Sequence, residues 1–390
     1  MLGIIDVRGW QEIIDLATAK PAERDEKFLK PLRKLAESFP YPGDRNNAGS
    51  KWTIDAAEAV VNHYDPGWLF LGFTRPLFAC AYDDCSAEDR KDTARVILDY
   101  IVDFARKHDF SPLIVGSGGL VPLKGYIIIP ELKGVLQSSA WARNMAGLYQ
   151  SEPGDEELLL KKPHIRDVIH KDDFMELCKT MTPTYINDIP DYLLIAEDGW
   201  GFKGFFSGDR ILYNIEKHSY TLPVYSEIGY PDHIEGVCGL MEGALDQGEK
   251  VLLAVVEGLG EDDFTLPHRN IGNCRDWYAY AGRMLYHTLV TGKSFYHCTH
   301  PPIHDMSARR PLPLRYPMST PHAGVICEDS LGRRAKVPTA AVGSRSISTH
   351  AIVNADLMLE CYIRGQTNMG VMVAVNEDRY CAVIKNKNCR

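Results

Sequence analysis

The densest set of metal-capable side chains lies in YHCTHPPIHD, residues Tyr296 to Asp305, where His297, His300, His304 and Asp305 fall within nine positions. Imidazole and carboxylate ligands suit a single divalent ion, and zinc, iron or manganese is the species expected there. Pro301 and Pro302 keep the segment extended, so a second reading stays open. In it the histidines sit on a proline-rich lid and hydrogen-bond to backbone or substrate.

A second set follows an apolar run in VLLAVVEGLGEDDF, residues Val251 to Phe264. Glu257, Glu261, Asp262 and Asp263 crowd the loop where α/β enzymes collect ligands and bases, and His268 and Arg269 come just after. Glu257, Asp262, Asp263 and His268 are the catalytic candidates, the carboxylates as oxygen ligands to a divalent ion or one of them as a general base. A solvated acidic loop is the plainer alternative.

A third set is cationic. Arg309, Arg310, Arg315, Arg333, Arg334, Lys336 and Arg345 cluster late in an acidic chain, and guanidinium forks bind carboxylate or phosphate in pairs of hydrogen bonds. Arg309, Arg310 and Arg345 are the substrate-binding candidates, joined by Ser117 in the loop Gly116 to Gly119 as a donor to an anion. That loop matches neither GxGxxG nor GxxxxGK[ST], so no nucleotide cofactor is expected. Glycine there reads first as a device for a close turn.

The elements that would position these groups are legible as periodic runs. WLFLGF (Trp68 to Phe73), Leu113 to Val115, Tyr192 to Ala196 and Val251 to Val256 read as strands, and Thr221 to Tyr225 as a short extended piece. Helices are expected over Trp10 to Ala17, Ala22 to Phe39, Ile54 to His63, Ile234 to Leu245 and Ala351 to Ile363. A further helix runs from a Ser86-x-x-Asp89 capping box to His108. The first and second of these strands, joined by that helix, predict a parallel β-α-β unit whose carboxyl ends share a cleft. VMVAV-NEDR-YCAVIK predicts a hairpin across Asn376 to Arg379. The fold class is α/β, a mostly parallel sheet flanked by helices with a C-terminal α+β appendage. The division is 1–50 as a helical segment, 51–300 as the core, and 301–390 as a proline-rich lid and C-terminal region.

The 390-residue chain, 45% hydrophobic with net charge −9, carries no long basic run, so neither nucleic acid nor an anionic membrane is an expected partner. No window is long and apolar enough to span a bilayer, and MLGIIDVRGWQEIIDLA lacks the shape of a secretory signal. Ten scattered cysteines with no C-x-x-C pair fit reduced, mostly buried thiols and a cytoplasmic location. The expected partners are a small anionic substrate and further copies of the chain.

From Ile54 to Glu242 the chain resembles the alkaline phosphatase superfamily, especially its type I phosphodiesterase and nucleotide pyrophosphatase branch. The residues that carry this are DPGWLFLGF, the helix from Ser86, LIVGSGGLVPLKGYI, PDYLLIAEDGWGF and LPVYSEIGYPDHIEGVCGLM, in that order. The resemblance implies an alkaline-phosphatase-like core and a hydrolase, phosphatase or phosphodiesterase in type. The family's two-metal ligands are absent from the matching places. Thr74, Arg75 and Pro76 follow the first strand, Ser117 and Gly118 take the Asp-His place, and Ser226, Glu227 or Ile228 stands at the late His. VLLAVVEGLGEDDF and HTLVTGKSFYH are similar to the family's opening strand and Thr-Gly segment, but here they come last. A circular permutation or chance likeness of two apolar strands would each account for that. Under permutation Glu257 stands in for a metal-binding Asp, and the nucleophile position falls on Gly282 to Met284, which cannot attack phosphorus. A pseudoenzyme or subunit that binds an anion or a partner protein is the alternative.

Overall fold

In a computed structural model of the chain, the described residues are 3–6, 12–15, 20–21, 38–39, 42–43, 48–138, 143–173, 190–203, 212–275, 278–280, 282–293, 329–343, 352–364, 367–375 and 380–384. The apolar runs form strands because each is buried on both faces. β1 (Trp68–Phe73) is buried at all six positions, and β4 (Lys250–Val256) at all but its first. With β2 (Phe110–Gly116), β3 (Thr221–Ser226), β5 (Arg269–Gly272), β6 (Thr339–Gly343) and β7 (Leu357–Arg364) they build a mixed sheet in the order β5-β3-β2-β4-β1-β6-β7. The five strands from β2 to β7 run parallel, whereas β3 is antiparallel to both β2 and β5. Beyond β7 the sheet continues antiparallel through β8 (Thr367–Val375) and β9 (Tyr380–Ile384), and β9 pairs in parallel with the first of three short N-terminal strands. The chain is thus α/β with a mixed sheet, and residues 339–364 contribute two strands to that sheet.

Alternation along each strand divides the core into two layers. Trp68, Phe70, Leu113, Val115, Val251, Leu253 and Val255 pack on one face with α4 (Val237–Asp246) and α5 (Gly282–Thr291). Leu69, Leu71, Phe73, Ile114, Leu252, Ala254 and Val256 pack on the other, with α1 (Ala48–Tyr64) and α3 (Ala87–Lys107). α3 begins at the expected capping box: Ser86 Oγ accepts from the Asp89 amide, and the Asp89 carboxylate accepts from the Ser86 amide. A smaller four-stranded antiparallel sheet, formed by Val135–Ser138, Met145–Tyr149, Ile165–His170 and Tyr192–Ala196, encloses its own apolar cluster.

β1 and β2 are parallel, with their carboxyl ends at one edge as the β-α-β reading requires, and β4 lies between them, hydrogen-bonded to both. Two expectations need correction. The helix expected over Ala351 to Ile363 is mostly the strand β7, because Asn354 has φ +49° and a helix cannot pass through it. Within Trp10 to Ala17, the described residues Glu12–Asp15 form a strand paired with Gly3–Asp6, since an isolated Ile-Ile doublet fits either period and here finds an edge to pair with. The helix expected over Ala22 to Phe39 lies almost wholly outside the described residues. The hairpin strands pair as expected, Val375 opposite Tyr380.

Candidate functional site

The carboxyl ends of neighbouring parallel strands are where an open α/β sheet leaves a crevice, because the connections there diverge to opposite faces. In this chain the ends of β2 and β4 open onto a shallow cleft whose empty space, open solvent included, is roughly 610 Å³. Ser117 and Glu257, the first residues after the two strands, both line it.

The loops after these strands pack backbone to backbone. A Cβ on Gly116 would lie 2.4 Å from the Leu259 carbonyl oxygen, and one on Gly260 would lie 2.6 Å from the Gly119 Cα. Gly258 has φ +77° and presses on the Leu77 backbone, where a Cβ would meet N and Cα at 2.8 Å. The Gly118 amide donates to the Leu259 carbonyl at 3.1 Å, and Ser117 Oγ accepts from the Gly258 amide at 3.1 Å. The glycine loop is bare because the Glu257 loop lies against it.

Glu257 is 2% exposed, and its Oε1 accepts a hydrogen bond from the Tyr286 hydroxyl at 2.6 Å. The Glu257 amide donates to the Phe73 carbonyl and its own carbonyl accepts from the Leu77 amide, so the backbone beneath the carboxyl is held by β1 and by α2 (Arg75–Tyr82). Tyr286 comes from the second turn of α5, whose first residue, Gly282, also faces the cleft.

The opposite wall comes from segments with no catalytic signature in the sequence. Glu216 ends the strand Asn214–Glu216, and Lys217, His218 and Ser219 follow it on the way to β3. Lys217 is exposed, and it is the only lysine or arginine among the described lining residues. His218 is buried, with its Nε2 enclosed and unpaired. Burial, aided by the Arg166 charge, lowers its pKa to about 4, so the ring is neutral near pH 7. Asn273 joins the walls: its Nδ2 donates to the Ser219 and Tyr280 carbonyls, both at 2.9 Å. Asn144 donates to the Glu216 carbonyl at 3.3 Å, and the Tyr280 hydroxyl donates to Glu235 at 2.8 Å.

Of the candidates read from the sequence, Glu257 and Ser117 meet in this cleft, and the other acids and His268 do not line it. Asp262 is exposed. Asp263 is buried against α3, 3.6 Å from the Arg90 guanidinium, and burial raises its pKa against the opposing pull of Arg90. The two carboxyls diverge because residues 261–263 form one turn of 3-10 helix, which sends consecutive side chains in different directions. His268 is half-buried beside Phe264, with Nδ1 2.9 Å from the Leu266 carbonyl. His297, His300, His304, Asp305, Arg309, Arg310 and Arg345 lie outside the described residues.

The positions that the resemblance would assign to metal ligands do not fit a two-metal centre. Thr74, Ser117 and Glu257 follow adjacent strands at one edge of the sheet. Ser226, at the end of an antiparallel strand, pairs with Leu113 midway along β2, four residues back from Ser117. Two hydroxyls and one carboxylate are a poor donor set for two zinc ions. No group of three or more His, Cys, Asp or Glu among the described residues could hold a metal ion, and no helix among them is long and apolar enough to cross a membrane.

Comparison with known proteins returned no matching family model, no matching curated protein and no matching solved structure.

Proposed function

We propose that the chain is an enzyme of the hydrolase or lyase type that acts in this cleft on a small molecule bearing one anionic group. The observation that carries the reading is Glu257, a carboxyl buried at the end of a central parallel strand, facing a cleft and oriented by the Tyr286 hydroxyl. A positioned carboxylate of this kind serves as a general base, taking a proton from water or from the substrate as the bond to the anionic group breaks. Lys217 on the rim and the amino end of α5 at Gly282 supply positive potential for that group, while neutral His218 and Asn273 shape the wall. The alkaline-phosphatase-like scaffold belongs to the same reading, supported by the order of strand, capped helix and glycine-ended strand. It contributes no metal step.

A non-catalytic binder is favoured by one specific observation. Thr74, Ser117 and Gly118 occupy the places where catalytic ligands would stand, and the Ser117 hydroxyl is engaged by the Gly258 amide.

The wild-type chain and Glu257→Gln, assayed against a panel of phosphate, sulfate and phosphonate esters with calorimetry on the same compounds, separate the two. The enzyme reading expects turnover that falls by about 10² to 10⁴ in Glu257→Gln with binding retained. Binding without turnover in the wild type supports the binder, and neither turnover nor binding sinks both. Elemental analysis of the same preparations reports whether the set His297, His300, His304 and Asp305 brings a zinc, iron or manganese ion to the protein.

A further inference from the structure

We propose that Cys80 and Cys85 form a reversible disulfide that fixes one wall of the cleft. Both are free thiols, and their sulfurs stand 2.9 Å apart. Two thiols at this separation are already in contact, and closing them to the roughly 2.05 Å of a disulfide asks for less than about one ångström of travel. Cys80 belongs to the last turn of α2, whereas Cys85 lies in the connection between that helix and the Ser86 cap of α3. The connection carries no strand pairing that such a movement would break.

The two thiols differ in access, and that sets the order of events. Cys80 is 1% exposed, and burial, reinforced by the hydrogen bond to Cys85, holds it protonated. Cys85 is half-buried, so an oxidant reaches it first. The oxidant is a small disulfide of the glutathione class. The Cys85 thiolate attacks one of its sulfurs and expels the first small thiolate. Cys80 then releases its proton to solvent, assisted by the nearby Arg90 charge, and its thiolate attacks the Cys85 sulfur and expels the second. The protein pair loses two electrons, and the small disulfide becomes two thiols.

The bridge would act on the cleft through α2. This helix places Leu77 on the cleft wall and donates the Leu77 amide to the Glu257 carbonyl at 3.1 Å. Its far end is tied to the opposite wall, because the Cys80 carbonyl accepts from Asn214 Nδ2 at 2.6 Å and the Ala81 carbonyl accepts from the Tyr213 amide at 2.9 Å. Residues 214–219 run directly from those bonds to Lys217 and His218. A covalent clamp at Cys80 therefore stiffens both walls together, whatever reaction the cleft performs.

The experiment uses the full chain equilibrated in glutathione buffers from fully reduced to strongly oxidising. Each sample is quenched in acid, alkylated and mapped by peptide mass spectrometry. Cys80 and Cys85 are expected to leave the alkylated pool together, to appear as one cross-linked peptide, and to return on reduction. Cys80→Ser is expected to carry one glutathione on Cys85. Amide hydrogen exchange over 75–85 and 212–219 is expected to slow at least several-fold in the oxidised wild type. Full alkylation of both thiols at the most oxidising poise, or pairing of Cys85 with a cysteine elsewhere, overturns the disulfide. Cross-linking with unchanged exchange overturns the clamp. The wild-type measurements decide the matter even if the variant fails to fold.

Discussion

The Tyr286 hydroxyl donates to Glu257 Oε1 at 2.6 Å, a side-chain bond between a helix and the loop that follows a strand, in which both residues are at most 2% exposed. The residues lie 29 positions apart, and the strand Arg269–Gly272 passes between them in the chain, so only the assembled sheet brings them together. Removing the hydroxyl takes one donor from a buried carboxyl oxygen, which costs about 1 to 3 kcal/mol. Tyr286→Phe keeps the ring contact with Phe70, whose centroid is 5.7 Å away, so the loss reports the hydroxyl and not the ring. Urea denaturation is expected to show a lower midpoint at unchanged slope. A midpoint equal to that of the wild type would show that the bond contributes nothing to stability.

The packed glycine loops predict a graded response to alanine. Gly116→Ala drives a methyl into the Leu259 carbonyl at 2.4 Å, and Gly258→Ala combines φ +77° with a clash against the Leu77 backbone. Each is expected to cost more than about 2 kcal/mol, from overpacking and, at 258, backbone strain. Gly154→Ala is the control: its φ is +100°, but nothing lies within 4 Å of the added methyl, so a cost nearer about 1 kcal/mol is expected from conformation alone. Thermal or chemical denaturation of the three variants checks the order. Equal losses would mean that the backbone contacts at 116 and 258 do not set the energy.

Stability is expected to fall with acid in a window set by two histidines. Burial lowers the pKa of His218 and of His287 to about 4, from an ordinary 6.5. Between those values the unfolded chain binds the protons that the folded chain refuses, so their contribution is complete above pH 6.5 and is lost as the pH falls toward 4. Urea unfolding free energies at intervals from pH 7.5 to 4.5 report the slope. His218→Gln is expected to flatten it by about one proton's worth, and an unchanged slope would mean that this imidazole is charged in the folded state.

Much of the scaffold is legible because the apolar runs are long and uninterrupted. WLFLGF and VLLAVV leave no polar position for solvent, so they read as strands buried on both faces, and Ser86 with Asp89 announces α3. Spatial order is not written in such runs. Nothing in Trp68 to Phe73 or in Phe110 to Gly116 says that residues 250–256 will come between them. The cleft is half legible for the same reason. Ser117 and Glu257 end apolar strands and invite attention, whereas Lys217, His218, Asn273 and Tyr286 sit in ordinary polar loops or on a helix, and only tertiary packing makes them neighbours. The polar run Glu216 to Ser219 between strands is the one local signal that marks that wall. Acids at 257, 262 and 263 share one short stretch of sequence, yet a 3-10 turn sends Asp263 to Arg90 and leaves Asp262 in solvent.

The position of β4 has a consequence for how the chain comes to be built. Synthesis delivers β1 and β2 well over a hundred residues before β4, and β6 later still, yet β4 and β6 are the two neighbours of β1. During that interval the inward edges of β1 and β2 expose unpaired amides and carbonyls, which invite pairing with each other or with another nascent chain. The helices that cap them can form from local contacts, but the sheet closes from its centre only when the 250s emerge. A polypeptide stopped anywhere before residue 250 therefore lacks the keystone of the sheet, and its two flanking strands are left facing a gap one strand wide.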